Sequence, residues 1–382
     1  MPPIVLKGIT WDHTRGYVPM AATAQRFHDA NPDVTIEWQV RSLKDFGDYP
    51  IERLAERFDL LIIDHPFAGY AATHPVLIPM DEHLDEAFLA DQAANSVGKS
   101  YESYVYGGHL WALAVDAATP ISGFRPDLMA QYDLSVPQTW EDLLALARKG
   151  HVAVPAAAVD IIMNLYMLCL AMGNPPFQDD QEIVSRRNGI EALNAYRELV
   201  VAAGFENLER NPFRTWEALV KGEKLAYCPF AYGYSNYGRR DYTDKPLRFG
   251  GLVRFNDTTL RSTLGGTGLA ISRICQHLDT AIEYCKLVAS PACQGGLYTI
   301  TGGQPGHRNA WLQDDLNVMT NGFFEDTLAT HDDAYLRPRY PAYNRFQEDA
   351  GAMIWDFIHN AGDVGSTLDR LNARYRASLI DE

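Results

Sequence analysis

The chain has 382 residues, more than one ordinary hydrophobic core accommodates, so two lobes of roughly 150–200 residues each are expected. Its formal net charge of −16 repels phosphate backbones and anionic lipid, which argues against a nucleic-acid binder. No run of about twenty apolar residues is present to cross a membrane, so no membrane insertion is expected.

Ile4–Thr10 reads as a short apolar strand running into the polar-aromatic loop Trp11-Asp12-His13-Thr14-Arg15-Gly16. Met20, Ala24, Phe27 and Ala30 share one helical face, and Asn31-Pro32-Asp33 ends that helix. Val34, Ile36, Trp38 and Val40 alternate as in a strand, Ile51–Arg57 reads as a helix, and Asp59–Ile63 as a buried strand ending at Asp64-His65-Pro66. Strand, helix, strand, helix, strand predicts a parallel sheet with right-handed crossovers. Ligands of such sheets lie beyond the carboxyl ends of the strands, where Trp11–Arg15 and Asp64–Pro66 are placed.

Further on, Thr139 is a predicted N-cap for a helix through Arg148, favoured by Glu141 and Asp142 in its first turn. Ile161–Met172, Gly189–Ala203 and Leu278–Ser290 read as helices, and Leu368, Leu371, Tyr375 and Leu379 mark the last one. Ala226–Phe230 and Leu269–Ser272 read as strands. No composition break separates two lobes, so the chain is expected to cross between them more than once.

The N-terminus shows no basic-then-apolar secretory pattern, since Met1 leads at once into Ile4-Val5-Leu6. The expected location is periplasmic or extracellular if a leader was trimmed, and cytoplasmic if Met1 is native. Five cysteines (Cys169, Cys228, Cys275, Cys285, Cys293), an odd number with no CxxC pair, predict neither a disulfide scaffold nor a structural zinc.

Three ordered segments resemble the family 1 extracellular solute-binding proteins of ABC transporters, the maltose-binding and glycerol-phosphate-binding kind. Tyr106-Gly107-Gly108-His109-Leu110-Trp111 leading through Asp116 to Phe124-Arg125-Pro126-Asp127-Leu128 resembles the family's hinge pattern, and Pro137-Gln138-Thr139-Trp140-Glu141-Asp142-Leu143 is similar to its Pro-x-Thr-Trp-Asp-Glu-Leu. Gly204-Phe205 through Phe213, Trp216 and Gly222 leads into Lys224–Phe230. Gly265-Gly266-Thr267-Gly268-Leu269-Ala270-Ile271-Ser272, then Ser290-Pro291-Ala292-Cys293-Gln294, Gly303-Gln304-Pro305 and Arg308, is similar to the third. The resemblance implies a type II periplasmic-binding-protein fold: two α/β lobes joined by a hinge, with a ligand cleft between them. On this pattern lobe 1 is 1–116 plus 265–312 and lobe 2 is 117–264 plus 313–382. It further implies hinge closure around a small polar ligand, a sugar, polyol or related compound, for ABC-type import.

Two departures bear on the ligand. Many sugar binders carry an aromatic at the third place of the Gly-Gly-x motif, where this chain has Thr267, and Asp64-His65-Pro66 replaces an open Gly-rich loop. Both argue against an ordinary oligosaccharide.

Candidate ligand-binding residues follow from these placements. Trp11 offers a stacking face, and Asp12, His13 and Arg15 offer hydrogen bonds beside it. Asp64 and His65 form a second polar pair, read as ligand contacts because no third metal ligand has suitable spacing. Tyr106 and Asp116 come from the hinge pattern, and Gly266 and Thr267 from the Gly-Gly motif. Tyr232 and Tyr234 sit among glycines after a strand, with Arg239 and Arg240 read as solvated. Arg308, and the run Arg337-Pro338-Arg339-Tyr340, supply guanidiniums that an anionic ligand would need.

No P-loop, GxGxxG or GxSxG pattern occurs in a catalytic context, and His13, Asp64 and His65 are the only obvious acid–base candidates. The reading is therefore a non-enzymatic binding protein without cofactor or metal, monomeric, with a small-molecule ligand and an ABC transporter membrane subunit as partners. The alternative is a leaderless cytoplasmic protein binding a metabolite, including an anionic one held by Arg15 or Arg308. An enzyme on the same fold is the third reading.

Overall fold

The computed structural model describes residues 3–42 and 50–380; Met1, on which the leader expectation turns, lies outside them. The chain forms two compact units. The first comprises Met1–Ala118, Leu264–Val318 and Arg339–Pro341, and the second Thr119–Thr263, Met319–Pro338 and Ala342–Glu382.

Two principal sheets use eight strands: β1 (Ile4–Trp11), β2 (Val34–Arg41), β3 (Leu60–Ile63), β4 (Leu113–Ala118), β5 (Pro120–Phe124), β6 (Tyr227–Tyr232), β7 (Arg248–Gly250) and β8 (Gly265–Ile271). In the first unit the order is β2-β1-β3-β8-β4. β1 runs parallel to β2 over its full length and parallel to β3, as the strand–helix alternation predicts. β8 is antiparallel to both of its neighbours, so the sheet is mixed. All four residues of β3 are buried, which fits a central strand covered on both faces.

The first helix starts earlier than expected, covering Thr14–Ala30 rather than beginning at Met20. The Trp11–Gly16 stretch reads as a loop, but His13 caps a helix that begins within it: its Nδ1 accepts the backbone N–H of Arg15 at 3.0 Å. Pro19 sits inside the helix, and Thr23 Oγ1 donates to the Pro19 carbonyl at 2.8 Å. Met20, Ala24 and Phe27 face the core, whereas Ala30 in the last turn is exposed. Gly16 lies against the Trp11 ring, where a Cβ would come within 2.4 Å of it.

The second unit has an antiparallel sheet of order β6-β5-β7. Its helix Trp140–Arg148 begins with a full capping box, in which the Thr139 side chain takes the Asp142 N–H and Asp142 takes the Thr139 N–H. Helix Ala158–Ala171 is buried nearly all round, and Gly351 of helix Tyr343–His359 approaches so closely that a Cβ would sit 2.0 Å from the Ala158 carbonyl oxygen. β4 leads through Thr119 directly into β5, so one nearly continuous extended segment carries the chain from the first unit's sequence into the second's.

All five cysteines are free thiols, and Cys169 and Cys285 are buried on their helices as small hydrophobes. Burial pushes the Cys169 thiol up to about 12 and the Cys285 thiol up as well, so neither carries a reactive thiolate. No helix among the described residues is long and apolar enough to cross a membrane, and these residues hold no His, Cys, Asp or Glu group fit for a metal ion.

Candidate ligand site

In the first unit the candidates gather where β1 and β4 end and β8 begins. Arg15, in the first turn of the first helix, is 3% exposed, and Asp116 on β4 is 1% exposed. They form a bidentate ion pair in which Arg15 Nε donates to Oδ2 at 2.8 Å and Nη2 donates to Oδ1. Burial pushes the Asp116 carboxyl up from its ordinary range, and the Arg15 guanidinium opposes that push. Two residues 101 positions apart are thus tied together, and each consumes the other's charge.

Asp116 also sits at a β-bulge. It pairs with Thr267 while Ala114 pairs with Gly268, which leaves Val115 as the extra residue. Gly266 has φ +98°, and a Cβ there would lie 2.3 Å from the Asp116 carbonyl oxygen, so both conformation and space demand glycine. Thr267 is 5% exposed, and its Oγ1 has no hydrogen-bond partner among the described residues. Two residues outside the set of candidate ligand-binding residues complete the surround. Gln304 Nε2 donates to the Ala117 carbonyl at 2.6 Å, and the fully buried Tyr298 feels the Asp116 and Arg15 charges. The Gly303-Gln304-Pro305 motif marked the first; Tyr298 had no local signal, because only the fold brings it near.

Trp11 closes β1 and is buried, Asp12 beside it is exposed, and its N–H is held by the Arg41 carbonyl at 2.8 Å. His13 is neutral, its pKa lowered to about 3 first by burial and then by the Arg15 charge. Asp64 and His65 follow β3. Asp64 Oδ1 accepts the His65 N–H at 2.8 Å and lies 3.2 Å from its Nδ1. The His65 ring is fully buried, 6.4 Å from the edge-on ring of Tyr104, whose hydroxyl donates to the Ile63 carbonyl.

Tyr106 lies in a small hairpin that pairs Val105–Tyr106 with His109–Leu110, its turn made by Gly107 and Gly108 at positive φ. Trp111 Nε1 donates to the Tyr106 carbonyl at 2.9 Å. Arg308 opens the helix Arg308–Trp311 and is half-buried, its N–H held by the Asn95 carbonyl.

Tyr232 and Tyr234 belong to the second unit. Tyr232 ends β6, with its hydroxyl 3.3 Å from Thr263 Oγ1 and its carbonyl taking the Trp216 indole N–H at 2.9 Å. Tyr234 is 4% exposed and packs edge-on against Tyr237, whose hydroxyl donates to Glu217 at 3.0 Å. Burial pushes the Tyr237 phenol above its ordinary value, so it stays neutral. Arg239, expected in solvent, is 6% exposed and forks onto Asp241 at 3.1 and 3.0 Å; Arg240 is exposed as read. The aromatic packing of the loop draws the Arg239 stem inward and leaves the fork to reach a carboxylate.

Comparison with known proteins gives a consistent result. Among solved structures, the fold is similar to a maltose-bound MalE3 of T. maritima, with a TM-score of 0.84 and 15% identity over 98% of this chain and 99% of that one. It is also similar to an ABC transporter solute-binding protein of Agrobacterium radiobacter K84 in complex with ribitol (TM-score 0.81, 18% identity, 98% of each chain). A counterpart from Agrobacterium vitis S4 with bound D-mannitol gives a TM-score of 0.78 at 13% identity over 98% of each chain. At these identities the likeness is one of fold, the type II periplasmic-binding-protein architecture. No curated protein matches the chain. The model of the bacterial extracellular solute-binding proteins matches residues 10–213, more than half of the sequence, and the chain belongs to that family.

Proposed function

We propose that this protein binds a small neutral polyhydroxylated solute, a sugar, polyol or related compound, as a monomer on the extracytoplasmic side and presents it unaltered to an ABC-type importer. The observation that carries the reading is Thr267: a nine-tenths-buried hydroxyl without a partner among the described residues, placed opposite Asp116 on the Gly-Gly strand. A buried hydroxyl left unpaired is costly, and a solute hydroxyl that exchanges hydrogen bonds with it removes the cost.

Charge supports a neutral solute. Arg15 is committed to Asp116, and Asp64 to His65, so neither pair presents a free charge to an anion. Full burial of His65 also argues against its use as a general base. The similar structures were solved with maltose, ribitol and D-mannitol, all neutral and rich in hydroxyls.

The test is calorimetric titration of the protein with maltose, ribitol and D-mannitol, beside sugar phosphates and carboxylates. Binding of a neutral compound recovered chemically intact supports the reading; binding of anions alone, or turnover of the bound compound, overturns it. Thr267→Val then probes the hydroxyl. It leaves the free protein as stable as before and lowers affinity about tenfold, the loss of one buried hydrogen bond. An unchanged affinity removes Thr267 from the site.

A further inference from the structure

The run Arg337-Pro338-Arg339-Tyr340-Pro341 reads in sequence as a source of guanidiniums for an anion, but the structure uses it otherwise. Arg337 is buried and donates to Gln347 Oε1 at 2.8 Å within the second unit. Arg339–Pro341, by contrast, are three residues of the first unit set between two stretches of the second, with prolines stiffening both sides. A three-residue excursion has no sheet or helix of its own to hold it, so side-chain contacts must do so.

Arg339 provides them. Its Nη1 donates to the carbonyls of Glu102 at 2.7 Å, Ser103 at 3.2 Å and Val105 at 2.7 Å, the carbonyls that close helix Ser100–Ser103 and open the Tyr106 hairpin. Its guanidinium carbon lies 5.7 Å from the centre of the Tyr106 ring, within cation–π range. On the other side its backbone carbonyl presses onto Gly69, where a Cβ would lie 1.4 Å from the oxygen, so any larger residue would expel the segment. One guanidinium nitrogen satisfies several carbonyls while the planar group backs the Tyr106 face, a combination lysine cannot fully reproduce.

We propose that Arg339 is a positioning residue for the solute site: its guanidinium holds the Tyr106 hairpin in the shape that solute binding requires. The consequence for affinity rests on the sugar or polyol reading above, with Tyr106 as a solute contact; the consequence for the hairpin does not.

The experiment is hydrogen exchange on the unliganded full chain, comparing the parent with Arg339→Ala, Arg339→Lys and Gly69→Ala, followed by titration with maltose, ribitol and D-mannitol. Arg339→Ala and Gly69→Ala accelerate exchange at the hairpin amides, Trp111 bonded to the Tyr104 carbonyl among them, by about tenfold or more, while β3 and β8 exchange as in the parent. Arg339→Lys, which keeps the charge without the planar guanidinium, falls between. If Arg339→Ala does not fold, Arg339→Gln replaces it. Unchanged hairpin exchange overturns the proposal, and so does an equal rise in every strand, which would make Arg339 ordinary scaffold. For any probe that binds the parent, Arg339→Ala lowers affinity about tenfold, and an unchanged affinity overturns the positioning role. If no probe binds the parent, the sugar or polyol reading fails, and the exchange pattern alone still decides whether Arg339 holds the hairpin.

Discussion

Around the carboxyl end of β1 the first unit buries full charges, with Arg15 forked onto Asp116 and a neutral histidine capping the helix beside them. The loop after β6 in the second unit buries phenols instead: Tyr234 and Tyr237 pack edge-on, and the Tyr237 hydroxyl donates to Glu217 and, at 3.5 Å, to the Phe213 carbonyl. Buried charges are tolerated only as a matched pair, and here Arg15 and Asp116 satisfy each other within the first unit. Phenols hide an apolar ring at little electrostatic cost and need only one partner for the hydroxyl. The first region should therefore respond steeply to the loss of either partner, and the second shallowly.

The largest effect is expected at Asp116. Asp116→Ala removes the carboxylate that the buried Arg15 guanidinium forks onto, which costs about 3–5 kcal/mol by urea denaturation. The double variant Arg15→Met, Asp116→Leu recovers most of that loss, because well-packed apolar groups replace the pair. If the double variant is as unstable as Asp116→Ala, the pair is not the source of the steepness.

Gly266→Ala comes next. It forces a Cβ into the Asp116 carbonyl at a positive φ and destabilises by about 1–3 kcal/mol, read as a lower denaturation midpoint. A neutral outcome would mean that the bulge relaxes freely.

His13 contributes through pH. Its folded pKa of about 3 lies below the ordinary 6.5, so above pH 6.5 both states are neutral there and pH has no effect through this group. Below it the unfolded chain binds a proton that the folded chain refuses, and stability falls by up to about 1.4 kcal/mol per pH unit until pH nears 3. Asn caps helices as well, so His13→Asn should match the parent at pH 7.5 and exceed it progressively at pH 6, 5 and 4. Parallel stability curves for the two proteins would show that His13 titrates normally in the folded state.

The smallest effect is expected in the second unit. Tyr237→Phe removes one hydrogen bond to Glu217, a carboxylate that still has Lys221, and costs about 1 kcal/mol. A loss as large as that of Asp116→Ala would erase the contrast between the two regions.

Much of the local structure was legible because it rests on short-range rules. Alternation in Val34–Val40 and the 3.6-residue spacing of Met20, Ala24 and Phe27 specify a strand and a helix before any partner is known. Where a local rule was offset by another local group, the reading missed: the Trp11–Gly16 loop hid the start of a helix that His13 caps, and Arg239 was read as solvated although Asp241 two residues on receives its fork.

The sequence by itself determined the order of elements, the thiol-only chemistry of the described cysteines and, through three ordered motifs, the solute-binding family. Only the tertiary structure decided that β8 enters antiparallel between β3 and β4, that Arg15 meets Asp116 rather than solvent, and that Arg339 braces the Tyr106 hairpin. The reason is range. Propensity and periodicity act over a few residues, whereas a guanidinium finds its acceptor among groups a hundred or more positions away, and strand order alone determines which of them lie within reach.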